Sequence, residues 1–220
     1  MTRIPALVLI ILALTFPRFA LADEAADLAA RIQKVYEDHK DFAAEFTQEV
    51  QRPHLPDRPL KKRGRVYFKK PGLMRWDYLE PDKVYYVSDG ELLWNYIPES
   101  ALVYKLIIKD SELFWALRFL YGEGDLSKDF SLSTGKPERG LKRLILKPNT
   151  GEHNFKRIEL LIDPKSFEIK ETIVVDPADN TSRVIFGKVS YKSLPDKNFR
   201  FKPPKGVRVE DLSKPAAKPD

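Results

Sequence analysis

Side chains able to make or break bonds are sparse in this chain and nowhere gathered. It holds no cysteine, and His39, His54 and His153 stand far apart with no second ligand at metal-binding spacing. No G-x-S-x-G elbow and no H-E-x-x-H pair occurs. Carboxylates are plentiful, but no two are singled out as an acid and base. The expectation is no enzyme, no metal site and no cofactor. What the chain does have is aromatic surface, the material of non-covalent binding. The segment 69–96, KKPGLMRWDYLEPDKVYYVSDGELLWNY, is dense in large rings. In Met74-Arg75-Trp76-Asp77-Tyr78 the large side chains fall on one face of an extended chain, because successive residues point to opposite sides. A sheet with that much aromatic surface must be covered by a second layer of protein or by an apolar ligand.

The elements that would position these rings are mostly strands. After a first helix, whose stripe is Leu28, Ile32, Val35 and Tyr36 and whose cap is Asp23 or Asp27, an extended segment opens at Phe42. A basic, proline-rich loop is expected over 52–63. Further strands are expected over 65–68, 73–79, 84–88, 92–97, 102–108, 130–133, 142–146, 155–162, 168–175, 181–189 and 199–201, with turn chemistry at Pro81, at Gly90 and at 176–180. A second amphipathic helix is expected over 111–121. About eleven antiparallel strands in sequence order curl into a barrel or half-barrel, leaving few open edges. The helix stripes then need the mouth of that sheet, and some strands are apolar on both faces, as in Leu92-Leu93-Trp94.

The N-terminus sets the compartment. Arg3, an apolar run from Ile4 to Phe16 and Ala20-Leu21-Ala22 have the order of a secretory signal peptide. The apolar run is well short of the ~20 residues that span a bilayer. Cleavage after Ala22 removes Arg3 and Arg18 and no acid, so the formal charge falls from +6 to +4. The expected organisation is a signal peptide over 1–22, one domain over 23–212 and a disordered tail over 213–220. The exported chain would be a soluble monomer in a periplasm, held by its core alone, with no disulfide and no lipid of its own. Nucleic-acid binding is not expected, since the basic residues are scattered among acids and no motif accompanies them.

Several segments carry a family resemblance in order and spacing. They are Phe42-x-Ala-x-x-Phe46-x-Gln48, Lys70-Pro71-Gly72-Leu73-x-x-Trp76, Pro81, Val87-Ser88-Asp89-Gly90-x-x-Leu93-Trp94-x-Tyr96-x-Pro98, Phe130, Leu146-x-Pro148 and Phe199-x-Phe201-x-Pro203-Pro204-x-Gly206-Val207. Over nearly its whole mature length the chain resembles the outer-membrane lipoprotein carrier (LolA) family. The resemblance implies a mainly β fold with some α: an unclosed antiparallel half-barrel whose helices form a lid over a hydrophobic cavity. It implies a chaperone in the periplasm of a Gram-negative bacterium. Its cargo would be acylated lipoproteins, received from an inner-membrane ABC transporter and handed to an outer-membrane receptor, with no stable membrane insertion. A carrier of another lipid or glycolipid, or a sensor module on the same half-barrel, is the competing reading.

On that reading Phe46, Phe68, Met74, Trp76, Tyr78, Trp94 and Tyr96 line the acyl-chain cavity from the sheet. Ile32, Val35, Phe114, Leu117 and Leu120 face them from the helices. Each could equally be ordinary core packing, since lid helices and core helices look alike in sequence. Some members of the family place an arginine before the Pro71 position, where it bonds to the lid helix. Here that residue is Lys70, a point charge on a flexible stem, and Arg75 is the nearby alternative. The basic run containing Lys61, Lys62 and Arg63 either meets a partner or is a solvated loop.

Overall fold

The computed structural model describes residues 18–110, 124–150 and 155–213. Helix α1 spans Arg18–Glu37, and a single turn, α2, spans Leu126–Asp129. The first half of the chain supplies strands β1 (Asp41–Arg52), β2 (Leu55–Lys69), β3 (Leu73–Glu80), β4 (Val84–Ser88), β5 (Leu92–Ile97) and β6 (Leu102–Ile107). The second half supplies β7 (Phe130–Glu138), β8 (Leu141–Pro148), β9 (Arg157–Ile162), β10 (Ile169–Val175), β11 (Thr181–Phe186) and β12 (Arg208–Asp211).

All twelve join one sheet in the order β12-β6-β5-β4-β3-β2-β1-β11-β10-β9-β8-β7. The edges β12 and β7 do not pair with each other, so the sheet is unclosed. Neighbours are antiparallel except β12 and β6, which run parallel. Three expectations change. The segment 199–201 is not a strand: a 3-10 turn, Asp196–Phe199, leads into irregular chain, and the last strand comes later, at β12. The basic segment 52–63 is not a loop either. β1 turns at Pro53 and His54 and β2 begins at Leu55, so cross-strand pairing carries the run out along a hairpin. Nor does Asp23 or Asp27 cap α1, which already runs from Arg18.

Helix α1 forms because its residues favour it and one stripe can be buried. Ala25, Leu28, Ala29, Ile32 and Tyr36 recur at helical spacing and all are buried. Alanines at two of these positions let the axis approach the sheet closely. Arg31 with Asp27 and Lys34 with Asp38 add i,i+4 ion pairs on the wet side. The stripe lies in the concave face, chiefly against β7, β8 and α2.

The pairing register decides which side chains face that helix. Phe42 opposes Phe68, which opposes Met74, and Val66 opposes Trp76, which opposes Tyr86. Phe46 and Tyr78 both oppose Gly64. A Cβ on Gly64 would lie 2.1 Å from the Asp77 carbonyl oxygen and 2.9 Å from the Phe46 ring. Only glycine lets that ring settle across the strand, and the register slips beside it, between Arg63 and Gly64.

The opposite, convex face has its own cover over β1–β5. Residues 194–201 cross it: the Leu194 N–H donates to Asp41 (2.7 Å) and Lys69 donates to the Leu194 carbonyl (2.7 Å). Arg75 donates to the Asn198 carbonyl at 3.2 Å, and Phe199 is buried. Farther along the sheet the convex face is charged. Arg143 bridges Glu138 and Glu159, and Arg183 meets Glu138 at 2.7 Å and Glu171 at 2.8 Å.

Candidate functional site

The concave face is an aromatic floor under a helix. The Phe46 ring lies 4.8 Å from Trp76 and 5.0 Å from Tyr78, and Phe68 lies 6.1 Å from Trp76, nearly edge to face. Phe42 stacks on Phe68 at 4.5 Å, and Tyr36 of the helix meets Phe42 edge-on at 5.7 Å. Of the residues expected to line a cavity, Ile32, Phe46, Phe68, Met74 and Trp76 are buried in this cluster, and Val35 and Tyr78 are half-buried beside it. The structure therefore brings seven of them together. Phe114, Leu117 and Leu120, with the helix expected over 111–121, lie outside the described residues.

Trp94 and Tyr96 do not belong to this floor. Leu93 and Asn95 take the concave positions of β5, opposite Ser88 and Tyr86. Trp94 and Tyr96 then oppose Val87 and Tyr85 on the convex side. There both rings lie 5.7 Å from Phe201, and Lys105 sits 5.6 Å over Trp94. Strand alternation is the physical reason: two residues of the same parity as each other can still have the opposite parity to Trp76. Arg75 is placed by the same rule. It is convex, paired with Asp77 at 2.8 Å, and cannot reach α1.

Lys70 does reach it. Its ammonium donates to the Tyr36 carbonyl in the last turn of α1. Cations are favoured at a helix C-terminus, where carbonyls lack partners. Partial burial pushes the Lys70 pKa down, opposed by Glu37 and Asp38. Tyr36 is held at its other end too: its hydroxyl accepts from the Ile169 N–H at 3.2 Å, at the start of β10. One residue thus ties the helix end to the β2–β3 turn and to β10. Burial raises the Tyr36 phenol far above its ordinary range, with the Ile169 N–H pulling the other way, so the hydroxyl stays neutral. Beside it His39 stacks on Tyr191 at 3.7 Å, and Tyr191 donates to Glu168 at 2.9 Å. The sequence signal for Tyr36 was its place one turn beyond Ile32 on the stripe. Its second bond has no local signature.

A gap of about 10 Å³ lies among Tyr36, Phe42, Ala44, Ile169, Thr172, Phe186 and Val189, no more than one water occupies. A wider opening of about 230 Å³ lies at the outer rim, between Gln48, Lys62, Tyr78 and Tyr86. A third opening, of about 460 Å³, is lined by Glu45, Thr47, Arg63, Arg65 and Ile185 from convex positions and by Phe46, Gly64 and Phe186 from concave ones.

The basic hairpin divides by face. Lys61 pairs with Glu49 at 3.0 Å and Arg63 with Glu80 at 3.7 Å, while Lys62 turns to the concave side and lies 5.4 Å over the Tyr78 ring. Among the described residues no group of three or more histidine or acidic side chains could hold a metal ion. No described helix is long and apolar enough to cross a membrane.

Comparison with known proteins agrees with this architecture. The family model described as "Outer membrane lipoprotein carrier protein LolA" matches residues 37–202. An outer-membrane lipoprotein carrier protein of Bordetella avium is 29% identical over 213 residues, covering 94% of this chain and 96% of the relative. One of Chromobacterium violaceum is 26% identical over 203 residues, covering 88% and 96%. An uncharacterized conserved protein of Thermus thermophilus has a similar fold (TM-score 0.56, 14% identity), covering 86% of this chain and 99% of that one. A DUF1329 family protein of Desulfovibrio piger has a TM-score of 0.50 at 15% identity, covering 81% and 97%. The members of this family are carriers, not enzymes, and the chain belongs to it: the LolA family of outer membrane lipoprotein carrier proteins.

Proposed function

We propose that the concave face receives the acyl chains of lipoproteins in exchange for the stripe of α1. In this reading the chain collects lipoproteins at an inner-membrane ABC transporter, shields their lipid across the periplasm as a monomer, and yields them to an outer-membrane receptor. Export by cleavage of residues 1–22 belongs to the same reading. The observation that supports it best is the aromatic floor covered by a helix whose end is held by two hydrogen bonds of one residue, Tyr36.

The energies suit a carrier. Removing one long acyl chain from water is worth on the order of 10 kcal/mol, at ~0.8 kcal/mol per methylene. Lifting α1 re-exposes Leu28, Ile32 and Tyr36 with the smaller alanines. At about 1.5–3 kcal/mol for each large side chain, the cost is of similar size. The exchange is then near balance, so cargo enters firmly and can still leave. A pocket that stood open and apolar would hold the chains too tightly for a receptor to remove them.

The hairpin of β1 and β2 is the surface we assign to partners. Leu55 and Leu60 are exposed there among Arg52, Arg58 and Lys61, a pairing suited to an acidic, partly apolar surface. The test of the whole reading uses membrane vesicles that hold the host's lipoproteins and transporter. Incubated with ATP and the chain from Asp23 onward, they should release acylated lipoprotein into the supernatant as an equimolar complex. Recovery of free lipid alone would give the cavity a different cargo, and no release would remove the carrier role.

A further inference from the structure

The rim opening is unlike the floor beside it. It sits across β1, β2, β3 and β4, where Gln48, Lys62, Tyr78, Val84 and Tyr86 share the concave side. Gln48 donates to the Ser182 hydroxyl at 2.7 Å, which leaves its buried carbonyl oxygen with no donor among the described residues. Lys62 is half-buried over the Tyr78 ring and makes no ion pair among the described residues. One residue pair deeper, behind the lining of the opening, Trp76 is 2% exposed and its indole N–H has no acceptor among the described residues. A buried polar group without a partner costs about 1–3 kcal/mol, so two such groups, beside a half-buried ammonium at one end of an apolar face, call for a ligand.

The ligand must carry acceptors for Lys62 and Trp76, a donor for the Gln48 oxygen, and hydrocarbon for the floor. Asp82 also lines the opening, and its carboxylate disfavours a phosphate there. Resting on the carrier reading above, we infer that this rim binds the neutral linkage of a lipid-modified cysteine. The amide N–H of the acylated residue donates to the Gln48 carbonyl oxygen, and the ester and amide carbonyls accept from Lys62 and Trp76. The site would register where the chains end and the peptide begins, and so separate a lipoprotein from a plain fatty chain or a phospholipid.

The test compares three synthetic lipids with equal chains: an N-acyl, S-diacylglyceryl cysteinyl peptide, its analogue with ether links and no amide, and a phosphatidylglycerol. Wild-type protein should bind the first at least ~10-fold more tightly than the second, as expected for two or more hydrogen bonds that the analogue cannot make. The Gln48→Leu, Lys62→Met double variant should bring that ratio close to one. Trp76→Phe keeps a ring of the floor and should lower the ratio by a smaller factor; thermal melts establish that both variants are folded. A ratio unmoved by either variant, with both lipopeptides still bound, overturns the rim assignment and leaves the carrier reading standing. Phosphatidylglycerol bound as tightly as the lipopeptide, and weakened by Lys62→Met, would make the opening a phosphate site instead. Failure of all three lipids to bind removes the carrier reading and the rim inference with it.

Discussion

Replacing Lys70 with methionine removes the ammonium from the end of α1 and keeps the length of the side chain. The bond lost is a charged donor on the Tyr36 carbonyl. Such bonds contribute about 1.5–3 kcal/mol, and a cation at a helix C-terminus adds about 0.3–1 kcal/mol. Lys70 is partly desolvated, which lowers its pKa and offsets part of the gain. A net loss of about 2 kcal/mol makes the lifted state of the helix about 30-fold more populated. Where the seated state dominates, apparent affinity for an acyl probe scales with the lifted fraction, so it should rise by the same factor. Two assays read this together: titration with a fluorescent long-chain fatty acid, and amide hydrogen exchange in the last two turns of α1. Both should change in Lys70→Met, and Lys70→Arg should restore most of the difference because its guanidinium can still donate. If exchange and affinity in Lys70→Met both stay within about twofold of wild type, the helix is not held by this contact and the reasoning fails.

Other consequences are direct. Trp76→Ala should destabilise by about 3–5 kcal/mol and Trp94→Ala, at a half-buried ring, by less, read by denaturant titration, but only Trp76→Ala should weaken acyl-probe binding by the folded protein. Gly64→Ala drives a methyl group into the Asp77 carbonyl and the Phe46 ring. It should cost about 3 kcal/mol and lower the thermal midpoint by about 6–12 °C. Strand β12 should respond to acid. The Ser213 hydroxyl, with Lys105, holds the Asp211 carboxyl at about 2 against an ordinary 3.8. A carboxylate depressed by folding stabilises above its unfolded pKa and ceases to as pH falls through the folded one. Protection of the Leu212 amide, whose N–H bonds to the Lys105 carbonyl, taken against its intrinsic exchange rate at each pH, should therefore fall between about pH 4 and pH 2 and be flat above that window.

Much of this fold is written in local pattern. The β1 run from Phe42 to Phe46, the alternation of Met74, Trp76 and Tyr78, and the stripe of α1 each announce their buried face within a few residues, and all three faces meet in the structure. The turn at 176–180 was equally legible: Asp176 accepts from the N–H groups of Ala178 and Asn180 at 2.9 and 2.8 Å. What local pattern could not supply was parity between strands. Nothing between Tyr78 and Trp94 says which face of β5 turns inward; the register through β4 does. The apolar residues on the convex face of β5 are covered by Phe201 and the chain before it, about a hundred residues away in sequence. The basic run 52–63 looked like a loop because prolines and charges mark loops, yet pairing with β1 extends β2 through it. Long-range partners also hid the rim, since Gln48 and Lys62 are unremarkable until the register sets them opposite each other.

Tyr85 and Tyr86 offer the sharpest test of which face carries lipid. They are adjacent in β4: Tyr86 lies on the concave side, 5.9 Å from Tyr78, and Tyr85 on the convex side, 6.0 Å from Tyr96. A photo-crosslinking phenylalanine analogue placed at either position differs in little besides the face it probes. After loading from vesicles with an acylated lipoprotein, irradiation should join the cargo's acyl chains to the protein labelled at position 86 and not to that labelled at 85. Equal capture at both positions, or capture at 85 alone, would contradict the assignment of the acyl chains to the concave face beneath α1.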